Sequence, residues 1–272
     1  MPVATVSRKV SELEDRLGVR LLARSTRQVT LTASGQPYFE QCRRILDQLG
    51  EAERAVSGEY RAPRGELVMT APIVFGRLHV VPTVAAFLKI YPEIDVQLVL
   101  ADRLVGLLDE HIDLALRIGE LPDSNLVATR VGSIGRVVCA SPAYLAERGA
   151  PTHPRDLAAH ACVTFNGLSS PKEWSFRIGR SEVMFPVRSR FVVTTAEAAI
   201  DAAVAGVGIT RVMSYQAAAA IGDGRLIALL HAYAPDPYPA SLAYPSGRLI
   251  PQKLRAFLDF AVPRLRAALP AL

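Results

Sequence analysis

The segment Thr5-Val-Ser-Arg-Lys-Val-Ser-Glu-Leu-Glu-Asp-Arg-Leu-Gly18 constrains the chain most, because its apolar residues form a single seam. Val6, Val10, Leu13 and Leu17 recur at i, i+4, i+7 and i+11, which predicts one helix with one packing face. Ser7, Arg8, Lys9 and Ser11 lie away from that seam. Short polar and cationic side chains of this kind suit phosphates and base edges in a DNA major groove. After Gly18, the run Val19-Arg-Leu-Leu-Ala-Arg-Ser-Thr-Arg-Gln-Val-Thr-Leu-Thr32 reads as a hairpin with arginines at its tip.

A helix followed by a basic hairpin is the back half of a winged helix-turn-helix, and Met1 stands only a few residues before it. The charge distribution agrees. Residues 1–32 hold six basic side chains (Arg8, Lys9, Arg16, Arg20, Arg24, Arg27) against three acidic ones (Glu12, Glu14, Asp15), and no acid occurs from Arg16 to Phe39. A polyanion-binding surface is the economical reading, with a solvated basic face as the alternative. The whole chain carries +5 over 272 residues and is half hydrophobic, so it is long enough for two or three folding units with a proper core.

Thr32-Ala-Ser-Gly35 offers an N-cap for a helix running to about Tyr60. Phe39, Cys42, Ile45, Leu46, Leu49, Ala52 and Val56 make a narrow seam on an otherwise charged helix, which predicts pairing with a second copy, with packing on its own chain as the alternative. Ala62-Pro-Arg-Gly65 then breaks the chain like a linker. From Glu66 strands alternate with helices, predicting an α/β chain with a mostly parallel sheet. Expected strands are Leu67–Thr70, Asp95–Leu100, Leu114–Ile118, Val137–Ala140, Cys162–Phe165, Gly208–Val212 and Ser241–Tyr244, with a hairpin over Trp174–Phe191. Expected helices cover Ala71–Tyr91 (interrupted near Pro82), Leu104–Glu110, a start at Ser141-Pro142, Arg155–Ala159, Ala196–Ala205 and Gln252–Ala268. The stiff Pro235-Asp-Pro-Tyr-Pro239 and the strand and helix after it fit a return to a first lobe. Two lobes joined by two crossings make a ligand cleft.

Val6–Thr32 resembles the DNA-binding domain of LysR-type transcriptional regulators, through a spaced skeleton of Val-Ser-Arg, Leu-Glu, Leu-Gly and regularly placed arginines. Pro72–His79, Asp113–Gly119, Cys139–Leu145 and Gly206–Ile209 resemble the family's regulatory domain, in the branch with the Arg117–Ser124 signature. The resemblance implies an α/β chain with a partial winged helix-turn-helix (1–32) and a linker helix (33–61). A two-lobed periplasmic-binding-protein-like effector domain follows, with lobe I over 66–136 plus 241–272 and lobe II over 137–236. It implies a cytoplasmic homodimer or homotetramer that binds promoter DNA and a small-molecule effector. Thr5, Ser7, Arg8 and Lys9 would face the major groove, and Arg24 and Arg27 would meet phosphates. The family has two further helices before this point, which supply the surface that the α-helical seam packs on. Burying four such side chains is worth about 1.5–3 kcal/mol each. The expectation is therefore a start codon assigned too late, or a truncation that leaves a dimeric small-molecule-binding module without DNA binding.

The cleft reading names Thr70, Ala71, Pro72, Phe75, Arg117, Ser141, Phe165, Thr195 and Ala196 as effector-binding positions. Thr70-Ala-Pro72, Ser141-Pro and Thr195-Ala are strand-to-helix junctions, where free N–H groups favour an anion. Each also suits an ordinary helix cap. Phe75 and Phe165 suit stacking on an aromatic effector or core packing, and Arg117 an anionic ligand or a neighbouring acid such as Asp113. No cofactor, metal site or catalytic set is expected. Asp109-Glu-His111-Ile-Asp113 reads as a polar helix end, and His79, His111, His153, His160 and His231 lack HExxH spacing. Gly206-Val-Gly-Ile-Thr-Arg211 is no nucleotide fingerprint. Cys42, Cys139 and Cys162 have no ligand or disulfide pattern, leaving buried structural thiols or a Cys139/Cys162 redox pair. No stretch of about 20 uncharged residues suggests a membrane span.

Overall fold

The computed structural model describes residues 2–24, 28–57, 62–103, 106–107, 110, 112–121, 125–165, 172–246 and 250–269. The chain divides into two compact units, Met1–Gly65 and Glu66–Leu272.

In the first unit, α1 (Val3–Leu17) ends at Gly18, whose φ of 68° is the left-handed turn that glycine adopts without strain. The hairpin pairs β1 (Leu22–Arg24) with β2 (Val29–Leu31), Leu22 opposite Leu31. Arg27 lies outside the described residues. The Thr32 hydroxyl accepts from Gly35 N–H at 2.9 Å and so caps α2 (Gly35–Ser57), as the sequence predicts. Gly35 has no room for a side chain, since a Cβ there would stand 1.9 Å from the Leu21 carbonyl oxygen.

Glu14 ties α1 to the hairpin. Its carboxylate accepts from Leu21 N–H at 2.7 Å and Leu22 N–H at 2.9 Å. Those two backbone donors hold its pKa below the usual glutamate value. A carboxylate lowered in the folded state contributes stability above its unfolded pKa and loses it as pH falls through the folded one. Glu14→Gln is therefore expected to lower the melting temperature of this unit at neutral pH. The difference from wild type should shrink as pH falls through the lowered folded-state pKa, read by far-ultraviolet circular dichroism.

The second unit holds two five-stranded sheets. The first has the order β4-β3-β5-β14-β6, built from β3 (Gly65–Ala71), β4 (Ile94–Leu100), β5 (Leu114–Ile118), β6 (Leu126–Ile134) and β14 (Tyr238–Pro245). The second has the order β11-β8-β12-β7-β13, built from β7 (Arg136–Ala140), β8 (Cys162–Phe165), β11 (Ser189–Val193), β12 (Ile209–Met213) and β13 (Ile227–Leu229). The chain passes from first to second sheet through Gly135 alone and returns through residues 230–237. Ile134 at the outgoing end pairs with Tyr238 at the returning end, so the crossings lie side by side.

The sheets are mixed rather than mostly parallel. β3 pairs parallel with β5, and β12 and β11 pair parallel with β8. β14 runs antiparallel to β5 and β6, and β7 antiparallel to β12 and β13. The cause is the double crossing, because β6 leaves its sheet where β14 enters, and β7 enters its sheet where β12 ends.

The helix expected over Ala71–Tyr91 is three pieces end to end. Ile73–Phe75 (α3) opens it, Gly76–Val80 is a wide π turn, and Val81–Leu88 (α4) resumes it with Pro82 in the first turn. Proline cannot donate the backbone bond a plain helix needs there. The Thr83 hydroxyl donates to the His79 carbonyl at 2.7 Å. The expected Trp174–Phe191 hairpin is shorter. β9 (Glu173–Ile178) and β10 (Ser181–Pro186) form it, while Phe191 belongs to β11, parallel to β8. Pro186 ends the ladder. Most of the expected helix Leu104–Glu110 lies outside the described residues, although Glu110 N–H donates to Gly106 O at 3.0 Å. The remaining helices are α5 (Pro142–Arg148), α6 (Ala196–Val204), α7 (Ser214–Gly222) and α8 (Gln252–Ala268), with a 3-10 turn at Pro154–Ala159.

The first core packs Phe75, Phe87, Leu116, Leu242 and Phe257 between its sheet, α4 and α8. The second sheet is covered on one face by the β9–β10 hairpin through Trp174 and Phe176, and on the other by α6 and α7.

Candidate ligand cleft and nucleic-acid face

Strand direction decides which expected effector residues meet. In the first sheet, Thr70 and Ala71 end β3, Arg117 is next to last in β5, and Tyr238 opens β14 opposite Ile134. All stand at the end where the chain crosses. In the second sheet, Phe165 ends β8, and Thr195 follows β11 to cap α6, at the corresponding end. Ser141 is different. β7 is antiparallel to β12, so Cys139 pairs with Thr210 near the start of β12, and Ser141 lies at the far end of the sheet. Its hydroxyl caps α5, accepting from Tyr144 N–H at 3.4 Å, and it is buried. The cleft does not bring Ser141 together with Thr195.

The other positions have occupants of their own. Ile73 N–H, the first free donor after Pro72, reaches the Asp102 carboxylate at 3.0 Å. The Thr195 hydroxyl accepts from Ala198 N–H at 3.2 Å. Thr70, Ala71 and Ala196 are buried, and Pro72 is half-buried. Phe75 is fully buried in the first core, its ring 4.7 Å from His79 and 5.4 Å edge-on from Tyr215. Phe165 is half-buried against α6 and α7 residues. Arg117 is half-buried, and burial pushes its pKa down while the Glu110 carboxylate acts the other way. Asp113 accepts from Val68 N–H at 2.9 Å and faces the Lys253 ammonium at 3.4 Å.

Three residues beside these positions are not among the effector contacts expected from the sequence. Asp102 follows β4 by two residues and caps a helix start 29 positions earlier. His79 lies on the π turn, and burial lowers its pKa. Tyr215, in the first turn of the unexpected helix α7, packs against the first core, where burial raises its hydroxyl pKa. The signal for α7 was present in Gln216, whose side chain accepts from Met213 N–H at 2.9 Å and closes the helix start.

Cys139 and Cys162 sit on β7 and β8 with β12 between them, so they cannot form a disulfide in this fold. Burial pushes both thiols up to about 12. Among the described residues no three His, Cys, Asp or Glu side chains group as a metal site; Asp109 and His111 lie outside them. Among the described residues, no helix is long and apolar enough to cross a membrane.

On the first unit, Thr5 and Ser7 are half-buried on α1, and Arg8 and Lys9 are exposed. Arg8 faces Glu12 at 3.6 Å in a solvent-exposed pair. Arg24 on β1 donates to the Ser7 hydroxyl, and to the Ser7 carbonyl at 3.4 Å, so wing and helix are brought together. α1 buries none of its own residues, and Val6 and Leu17 are exposed.

The family profile described as the LysR substrate binding domain matches residues 61–266, and that of the bacterial regulatory helix-turn-helix protein, lysR family, matches residues 1–36. The chain belongs to the LysR family. It is 38% identical over 269 residues to an HTH-type transcriptional regulator of Xanthomonas campestris, covering 97% of this chain and 78% of that protein. The HTH-type transcriptional regulator CrgA of Neisseria meningitidis serogroup B is 33% identical over 266 residues, covering 97% and 89%. The solved structure of CrgA, described as a LysR-type transcriptional regulator, superposes with a TM-score of 0.67 at 33% identity, over 97% of this chain and 90% of that one. The full-length structure of the Vibrio cholerae virulence activator AphB superposes with the same TM-score at 28% identity. This LysR chain is therefore a DNA-binding transcriptional regulator with an effector-binding domain, and its relatives are regulators, not enzymes.

Proposed function

We propose that this LysR-family regulator reads promoter DNA with Thr5, Ser7, Arg8 and Lys9 on α1, while Arg24 and Arg27 of the hairpin hold phosphates. The carrying observation is that α1 keeps Arg8 and Lys9 exposed beside a basic hairpin that Arg24 joins to Ser7. Phosphate contacts supply affinity that falls with salt, and base-edge contacts supply selectivity. The test starts by enriching a duplex site from random DNA with the full chain. Arg8→Ala is then expected to weaken binding to that site by about tenfold or more in gel shift, the loss of roughly 1–3 kcal/mol for one base contact. Unchanged affinity in Arg8→Ala would remove that residue from the interface, and no enrichment at all favours a small-molecule-binding module.

The effector reading places a small anionic ligand between the two lobes, lobe I over 66–136 plus 241–272 and lobe II over 137–236. Thr70, Ala71, Pro72 and Arg117 would meet it from one side and Phe165, Thr195 and Ala196 from the other. The support is that these positions share the crossing ends of their sheets. Phe75 serves there as the buried wall. Ligand binding would bias lobe closure. Pairing of α2 helices accounts for the exposed Phe39, Ile45, Leu46 and Leu49 and gives a homodimer or homotetramer, acting with its DNA in the cytoplasm.

A further inference from the structure

We propose that the edge of the first sheet carries a second small-molecule site, between Arg130 on β6 and Arg266 on α8, that takes a doubly charged oxyanion. β6 is an edge strand, paired with β14. That ladder slips at one point. Ser241 stands opposite Arg130 and Ala240 opposite Gly132, so Val131 is the extra residue of a β-bulge. A bulge re-aims the side chains beside it, and bulges are common next to functional sites. Here Val131 packs into the first core while Arg130 stays exposed. Leu269 closes on the bulge from the end of α8, since an added Cβ at Gly132 would stand 2.7 Å from the Leu269 Cβ.

The two arginines are held in place by neutral groups. Arg266, in the last turn of α8, donates to the Arg130 carbonyl from Nε at 3.2 Å and from Nη2 at 2.9 Å. Arg130 donates from Nε to the Gly132 carbonyl at 3.3 Å and from Nη2 to the Ser133 hydroxyl at 2.7 Å. Among the described residues these bonds leave the Nη1 donors of both guanidinium groups for a ligand. Planar donor forks fixed in this way suit the paired oxygens of a phosphate or a carboxylate.

Both arginines line a cavity of about 420 Å³ that opens to solvent, with Val131, Gly132, Ser133 and Leu269 as its other walls. None of these lining residues is acidic, so two positive charges face the space with no counter-charge in its walls. The volume suits a small organic molecule. The chemistry suits a phosphate ester or a dicarboxylate, its oxygens on the two guanidinium groups and its carbon part against Val131 and Leu269.

The site is separate from the effector reading, because no effector position lines it. Ser133 stands two residues before Gly135, through which the chain leaves for the second sheet. An oxyanion held by Arg130 and Arg266 ties this end of β6 to the end of α8, just ahead of that crossing.

Thermal unfolding of the full chain at constant ionic strength tests the site, with inorganic phosphate, succinate or chloride as the anion. A saturable rise of the midpoint in phosphate or succinate over chloride is expected, and the larger of the two gives the class of oxyanion. In Arg130→Gln and in Arg266→Gln the concentration for half the effect is expected to rise by about tenfold or more. Arg117→Gln is expected to keep the wild-type value, which separates this site from an anion in the cleft. Each variant is read by its anion-induced shift, since Arg266→Gln also loses its bonds to the Arg130 carbonyl. Equal midpoints in the three anions, or an unchanged half-effect concentration in either Arg130→Gln or Arg266→Gln, would overturn the proposal. Crystals of the wild-type chain grown in arsenate give a measurement that does not depend on a variant folding. Anomalous density between the two guanidinium groups is expected, and density only elsewhere, or none, rejects the site.

Discussion

Phe75→Ala is expected to destabilise the effector-binding unit by about 3–5 kcal/mol, the range for emptying a fully buried phenylalanine site. The ring is fully buried in the first core, with its centroid 5.4 Å edge-on from that of Tyr215 on α7. Truncation therefore leaves a cavity beside Tyr215, and relaxation cannot fill it without moving α7. Denaturant unfolding with a lowered midpoint and unchanged slope is the expected record. Ile73→Ala, two residues earlier and exposed, serves as the control and should stay within about 0.5 kcal/mol. Equal losses in the two variants would mean that Phe75 is not the wall described here.

The second large effect is at Gly208. A Cβ there would stand 2.3 Å from the Ala161 carbonyl oxygen and 2.8 Å from its carbon, both backbone atoms. The same carbonyl accepts from Ile209 N–H at 2.9 Å, so it is fixed where β12 begins beside β8. Gly208→Ala must open that junction, and a loss of about 3 kcal/mol, at the upper end of the overpacking range, is expected. Gly222 offers the opposite case. It ends α7 with nothing within 4 Å of an added Cβ, and Gly222→Ala is expected to gain about 0.5–1 kcal/mol. Thermal melts of the two variants side by side check the sign of each. A stable Gly208→Ala would show that β8 and β12 can separate without cost.

Elements with a clean period or an unambiguous stop were legible in the sequence. α8 matches its expected limits, Gln252–Ala268, because its apolar stripe is uninterrupted and Pro251 marks its start. β8 matches over Cys162–Phe165 for a similar reason, four apolar or β-branched residues shortly after a 3-10 turn. β6 was missed because Leu126–Ile134 mixes Thr, Arg, Gly and Ser into a strand whose faces are only partly buried. α7 was missed because its alanines carry little hydrophobic contrast.

The cleft was legible at the level of strand ends, and Ser141 shows the limit. A strand-to-helix junction looks the same in sequence whether its strand runs toward the cleft or away from it, and only pairing with β12 fixes that direction. Asp102 is a second limit, since its role depends on a helix start far earlier in the chain. On the DNA side, α1 was legible as a helix. Arg24's bonds to Ser7 were not, because they depend on how the hairpin folds back.

The adjacency of the two crossings restricts how the sheets can move. Gly135 is a single residue between two paired strands, and its carbonyl accepts from Ser214 N–H at 2.8 Å. The returning segment meets it directly, through Ile134 opposite Tyr238. Both covalent links therefore pass through one narrow ribbon, and the soft degrees of freedom are bending and twisting of that ribbon. Sliding of one sheet past the other would have to break its ladder. Any relative motion of the two sheets is thus an angle, not a displacement, and its size at any point grows with distance from Gly135.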